Sequence, residues 1–409
     1  MVLRNSETVG KLTVDQKLEL AASLRALSSD WAKRAGLPSF RRVFLGNGEE
    51  ETAFPSAGIL AHSWNAALMG EVFGTLAKDK VGDAPALCYM PSLRLRAHPC
   101  GDGVSEDPFL LSSYAAALSS AVRGAGAFPC FTGVLPDPKG ATLLDFEYEP
   151  RAWYDYFFAP FATLPRNDIA VSLPCGGEEK DSPNLAAAKK ILLARTAQSG
   201  AVLCESAEGL AARLSEGYIL AAEEVRELRA AYQEYRRLRE AEARNEATPA
   251  DIKAACRAGT ALSDETLDAA ADRAITLAEL VCAAQKDKTD TQTDAETLAR
   301  RAAEESIVLL ANDGLLPLQN GCSVAVIGPY GEKLADALSQ TGLRCAGFAE
   351  GYAADRDQSD ELIPAAAEVA KNADAVVLFL VAGAGSAKLP ANRWALLAAL
   401  RKVNANIIA

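Results

Sequence analysis

From residue 295 to residue 409, short runs that are apolar throughout alternate with amphipathic helical segments. The apolar runs fall at Ser323–Ile327, Arg344–Phe348 and Ala375–Val381, and another opens at Asn406–Ala409. Helical spacing covers 295–310, 331–341, 360–371 and 391–402. A strand without a polar face must be covered on both sides, which is the pattern of a parallel sheet with helices on each face. The alternation supplies the crossovers such a sheet needs, so this region is expected to be a doubly wound α/β domain. The chain stops as the last strand opens, and the domain is expected to be incomplete at its end.

Upstream the alternation is looser. Residues 11–35 carry Leu12, Leu18, Leu20, Leu24 and Leu27 at helical spacing, and Thr13 with Gln16 three residues later fits a capping box. Helices are expected at 56–79, 107–125 (with Pro108 in the first turn), 184–198 and 262–282. The stretch Ala86–Leu95 and the runs Ile169–Leu173 and Ala201–Cys204 read as strands. Residues 218–244 give the clearest helix. Val225, Leu228, Tyr232 and Tyr235 form one apolar stripe, and Glu and Arg pair along the other face. That stripe is expected to pack on its own domain. The polar stretch 285–297 reads as an exposed connection. It divides the chain into domains 1–290 and 291–409, in line with the two to three domains suggested by a length of 409.

Composition excludes several functions. Asp plus Glu number 54 against 42 Lys plus Arg, a net charge of −12, which repels phosphate backbones and anionic membranes. No nucleic acid and no membrane is expected as a partner. No apolar run approaches the roughly 20 residues of a spanning helix, and the opening residues show no apolar signal core. The nine cysteines contain no C-x-x-C pair. They read as reduced thiols of a cytoplasmic protein, and no metal site is expected. Only two histidines, His62 and His98, are available for catalysis. Gly328–Pro329–Tyr330–Gly331 follows a strand but lacks G-x-G-x-x-G spacing, so no cofactor is expected.

Arg300–Pro329 (RRAAEESIVLLANDGLLPLQNGCSVAVIGP) resembles the junction of glycoside hydrolase family 3, the β-glucosidase-type family. Leu12–Leu18 (LTVDQKL), Thr52–Leu68 (TAFPSAGILAHSWNAAL), Ser105–Pro108 (SEDP), Glu149–Phe161 (EPRAWYDYFFAPF) and Gly259–Leu280 resemble further family segments in the same order. The resemblance implies an N-terminal TIM-like (β/α) barrel followed by a parallel-sheet α/β sandwich, with a sugar site between them. The stretch before Glu205 is short for a barrel of about 250 residues. Missing strands and an incomplete barrel are therefore expected.

Retaining glycoside hydrolysis needs a nucleophilic carboxylate and an acid/base carboxyl about 5–5.5 Å apart. By the resemblance, the nucleophile position in Gly200–Ser206 (GAVLCES) is Glu205, where the family has Asp. The sugar-gripping positions carried over are Asn47 in Phe44–Glu51, and Arg96 and His98 in the shortened Arg96–Gly103. The family's Lys-His dyad corresponds to Phe128–Thr132 (FPCFT), which has neither residue. Its acid/base loop corresponds to Val381–Pro390 (VAGAGSAKLP), which holds no acid, and Glu350 lies on a different loop. Three readings follow: a non-catalytic or severely weakened relative that keeps the fold and binds a carbohydrate weakly or serves a partner protein, an active retaining β-glycosidase using Glu205, and a subunit completed by a second copy or a partner chain.

Overall fold

The computed structural model describes residues 3–46, 54–93, 95, 103–133, 151, 155, 156, 159, 170–173, 201–204, 209–221, 225–289, 294–329, 331–338, 340–353, 361–381 and 389–409. The chain forms two compact units, which divide between Val308 and Leu309.

The first unit opens with α1 (Ser6–Gly10) and α2 (Val14–Ala22). The expected capping box is present: Thr13 Oγ1 accepts from the Gln16 amide and Gln16 Oε1 accepts from the Thr13 amide. The apolar spacing over 11–35 does not make one helix. Ser23 and Ser29 each accept a downstream amide, closing α2 and starting a 3-10 turn (Leu24–Ser28) and then α3 (Asp30–Arg34). β1 (Arg41–Phe44) follows.

The helix expected over 56–79 is interrupted. α4 (Ala57–Leu60) and a 3-10 turn end at Trp64, whose φ of 54° is left-handed. Asn65 Oδ1 then caps α5 (Ala66–Val81) by accepting from the Leu68 amide at 3.0 Å. β2 (Ala86–Tyr89), α6 (Pro108–Gly124), β4 (Ala170–Leu173) and β5 (Ala201–Cys204) agree with the sequence reading, which named no strand at β1 or at β3 (Ala127–Phe131). The helix expected at 184–198 lies outside the described residues.

The helix expected from 218 begins later. After α7 (Leu210–Glu216), Ile219–Leu220 is a two-residue strand, β6, and α8 starts at Arg226 and ends at Ala243. α9 (Pro249–Ala258), α10 (Asp264–Ala284) and α11 (Ala295–Ser306) complete the unit. α8 packs on its own unit as expected: Leu228 is fully buried and the Tyr232 hydroxyl lies 2.9 Å from Asp264 Oδ1. α11 stops four residues short of the expected 310, where the β-branched pair Ile307–Val308 leaves the helix with Ile307 extended. It packs on α4 and α5, and Asn65 Nδ2 donates to Glu305 at 2.8 Å. The compact unit therefore runs past residue 290 to Val308.

β1 to β6 pair in parallel in the order β1-β2-β3-β4-β5-β6, a curled half-barrel with β1 and β6 at its edges among the described residues. The strands are too apolar to show period two in the sequence, yet their side chains alternate strictly. Val43, Cys88, Phe131, Val171, Cys204 and Leu220 join α5, α6 and α7 in one core. Leu87, Tyr89, Phe128, Cys130, Ala170, Leu203 and Ile219 join α10 and the turn Leu24–Ser28 in another. In a closed barrel the second face would be filled by strand side chains alone. Here α10 covers it, and alanines at 271, 274 and 278 let it approach the sheet. On the opposite face α5 and α6 come close through Gly70 and Gly74: a Cβ on Gly74 would lie 3.1 Å from that of Ala121. Pro129 is tolerated inside β3 because the Cys130 carbonyl faces β2, accepting from Met90. The Pro129 nitrogen therefore turns towards β4, whose pairing begins only at Cys130↔Ala170.

The second unit contains β7 (Ser323–Ile327), α12 (Glu332–Leu338), β8 (Arg344–Ala349), α13 (Ile363–Lys371), β9 (Ala375–Leu378), α14 (Ala391–Val403) and β10 (Ile407–Ile408). Its strands are parallel in the order β10-β9-β7-β8, so successive crossovers run to both sides of β7, as expected for a doubly wound sheet. Ala325, Ile327, Val376 and Leu378 pack under α13 and α14; Val324 and Val326 face α12. Asn404 Nδ2 donates to the carbonyls of Ala370 and Ala373 at 2.9 and 2.8 Å, tying off the end of α13.

Candidate functional site

In parallel (β/α) sheets, reactive groups sit where the strands end, because the loops there converge and the strands hold them rigid. That edge of the first unit is formed by Phe44, Tyr89, Phe131, Leu173, Cys204 and Leu220. Cys204 ends β5, and Glu205 is the next residue in the chain. Phe44 ends β1, three residues before Asn47. Arg96 and His98 belong to the connection from β2 to α6. Glu205, Asn47, Arg96 and His98 all lie outside the described residues, as do 382–388 of the expected acid/base loop.

The strands still fix how far apart these loops start. β1 and β5 are separated by four strand spacings, about 19 Å at ~4.8 Å each before the sheet's curl. The β2 connection starts three spacings from β5, roughly 14 Å.

The described part of the edge offers little reactive chemistry. Burial pushes the Cys88 thiol up to about 12, against a smaller opposing effect of Lys80, so it is protonated and inert at neutral pH. Burial likewise raises the Tyr114 hydroxyl to about 12 while it donates to the Ala61 carbonyl at 2.9 Å, a structural role. Thr132 follows β3 directly, and its hydroxyl donates to the Met90 carbonyl at 3.1 Å. Among the described residues no group of three or more His, Cys, Asp and Glu is placed to hold a metal ion. His62 is exposed in the 3-10 turn before Trp64.

In the second unit, Glu350 is exposed directly after β8. β8 is two strands away from β9, which leads into 382–388. Glu350 therefore starts from a different place than the expected acid/base loop.

Two features escaped the sequence reading. Arg393, in the first turn of α14, is only 1% exposed, and its guanidinium lies 4.4 Å from the Tyr352 ring centre. The Tyr352 hydroxyl donates to the Phe379 carbonyl and accepts from the Val381 amide, both at 2.9 Å, and so fixes the chain beyond β9. The second feature is a cavity of about 310 Å³ between the 3-10 turn Leu24–Ser28 and β1, which Arg25, Arg41 and Arg42 line.

No family model matches the chain. Curated relatives do. The thermostable beta-glucosidase B of Acetivibrio thermocellus is 24% identical over an alignment covering 93% of this chain and 54% of that protein. An exo-alpha-(1->6)-L-arabinopyranosidase of Bifidobacterium longum is 24% identical, with 98% of this chain and 59% of that protein covered. The solved beta-glucosidase D2-BGL of Chaetomella raphigera superposes with a TM-score of 0.67 at 17% identity, covering 98% of this chain and 65% of its own. The chain is glycoside hydrolase family 3-like. The resemblance read from the motifs and the fold agree, and both run over nearly the whole chain. This family 3-like chain spans between half and three fifths of the length of those curated relatives. No helix among its described residues is long and apolar enough to cross a membrane.

Proposed function

We propose that this glycoside hydrolase family 3-like chain is a non-catalytic or severely weakened relative that keeps a carbohydrate-accommodating scaffold. The observation that carries the reading is the loss of the carboxyl pair. By the resemblance Glu205 occupies the nucleophile position, and Val381–Pro390, which corresponds to the acid/base loop, holds no acid. A single carboxylate can neither protonate the leaving group nor complete a double displacement. The positions of the family's Lys-His dyad and early Asp are also lost, and together they ask catalysis to forgo many kcal/mol of transition-state binding.

The test is hydrolysis of an aryl β-glucoside by the wild-type chain beside Glu205→Gln. Equal rates are expected. A wild-type rate that exceeds that of Glu205→Gln by 100-fold or more would overturn the reading. It would favour an active retaining β-glycosidase, a reading that draws support from Glu205 following β5 directly, at the end where barrel enzymes carry catalytic residues. Completion by a second chain is a further reading, supported by the half-barrel, which leaves β1 and β6 as edge strands among the described residues. Sedimentation velocity tests it, a dimer being the expected result.

A further inference from the structure

The cavity beside β1 has a chemistry that neither the resemblance nor the relatives account for. It lies on the face of the half-barrel where α10 packs, at the edge strand, and β1 pairs with β2 alone among the described residues. Arg25 comes from the 3-10 turn, and Arg41 and Arg42 come from β1. Among the described residues no carboxylate lines it, in a chain whose net charge is −12. The guanidinium of Arg41 donates to the carbonyls of Lys80 and Val81 at the end of α5, which fixes its position. Arg42 is half-buried and makes no hydrogen bond or ion pair among the described residues. A half-buried guanidinium with open donors is poised for an oxyanion, which it can grip with two parallel N–H groups.

The second component is aromatic. The Phe44 ring stacks on Tyr89 with centroids 4.4 Å apart, which holds one face, yet 53% of Phe44 remains exposed. Phe40 and the Ser28 hydroxyl share the same cavity. A supported aromatic ring, a hydroxyl and the guanidinia of Arg25 and Arg42 fit a ligand with one flat apolar face, hydroxyl groups and one compact anion. A volume of about 310 Å³ matches a small molecule.

We infer that this cavity binds a phosphorylated monosaccharide, with its phosphate held by Arg42 and Arg25 and its ring resting on Phe44. Only the choice of a sugar ring rests on the carbohydrate reading above. The anion site stands on the arginines.

Isothermal titration calorimetry of the full chain tests the inference with three probes: glucose 6-phosphate, inorganic phosphate and glucose. Glucose 6-phosphate is expected to bind more tightly than either of the others, and to weaken as salt is raised. Arg42→Gln is expected to weaken it at least tenfold with the thermal midpoint unchanged. Arg25→Gln, at an exposed position, serves as the second variant and is expected to weaken it in the same direction. Phe44→Ala is expected to bring it down to the affinity of inorganic phosphate. No binding by the wild-type chain, or binding untouched in both arginine variants, overturns the inference. Equal affinity for inorganic phosphate and glucose 6-phosphate overturns the sugar. Glucose binding that persists in Arg42→Gln while glucose 6-phosphate adds nothing would sink this site and leave the carbohydrate reading standing.

Discussion

In the first unit every residue of β2 and β3 is buried, and helices cover both faces of the sheet. In the second, β7 is buried at its last four positions, while no residue of β8 or β10 is. Both sheets are parallel and both are built from apolar runs, yet one has two thick cores and the other has one thick and one thin. The difference separates two kinds of information. A core is specified by many residues that each contribute a little, so a scaffold survives substitution. A glycosidase site is specified by a few residues on loops, and losing one carboxyl of a pair or a dyad would remove it while the cores remain.

The largest effect is expected where the packing is deepest. Phe73 is fully buried on α5 in the first core, and Phe73→Ala should cost about 3–5 kcal/mol, read as a lower urea midpoint for the first unit. A loss below about 1 kcal/mol would mean that this core is looser than its burial indicates. The second unit should respond instead to backbone strain. Gly328 turns out of β7 with φ 123°, and a Cβ there would lie 2.6 Å from the Phe379 carbonyl oxygen. Gly328→Ala should cost about 1–3 kcal/mol, read as faster hydrogen exchange across β7 and β9 with the first unit unchanged. Exchange that rises equally in both units would break the comparison.

The smallest effect depends on pH. Asp374 Oδ2 accepts from the Ser323 amide and hydroxyl, both at 2.8 Å, at the start of β7 and β9. These bonds, the amide first, hold its carboxyl below the usual carboxylate range, with Arg344 adding a minor effect. A pKa depressed in the folded state gives stability that is present above about 3.9, the ordinary value, and is lost as pH falls through the lower folded value. The thermal midpoint of wild type should therefore exceed that of Asp374→Asn at neutral pH, and the gap should close in strong acid. A gap that is constant with pH would remove the carboxylate from the account.

Much of the fold is legible in the sequence where a local rule is decisive. Thr13 with Gln16 announces α2, Pro108 the first turn of α6, and the apolar runs mark β2, β4, β5 and β7 to β9, whereas β1 and β3 escape the reading. What escaped depends on tertiary context. β6 has two residues, too few for a period-two signal, and Tyr218 and Leu220 continue the apolar spacing of the helix that follows. The break at Trp64 is hidden because apolar spacing persists through it, with Asn65 as the one capping signal. Arg393 reads as a surface residue until Tyr352, distant in sequence, covers it. The cavity arginines come from two elements, so no motif announces them. For the site itself, the sequence supplies chain order, and the structure adds where each strand ends. The residues meant to do chemistry, Glu205, Asn47, Arg96 and His98, lie outside the described residues.

The central claim is that the acidic pair no longer works as a pair, and trapping the first half of the double displacement tests it most directly. An aryl 2-deoxy-2-fluoro-β-glucoside with a good leaving group lets a retaining enzyme form its glycosyl ester while slowing the hydrolysis that follows. Intact-mass spectrometry of the chain after long incubation is predicted to show no change. A covalent sugar adduct that maps to Glu205 and is absent from Glu205→Gln would contradict the account.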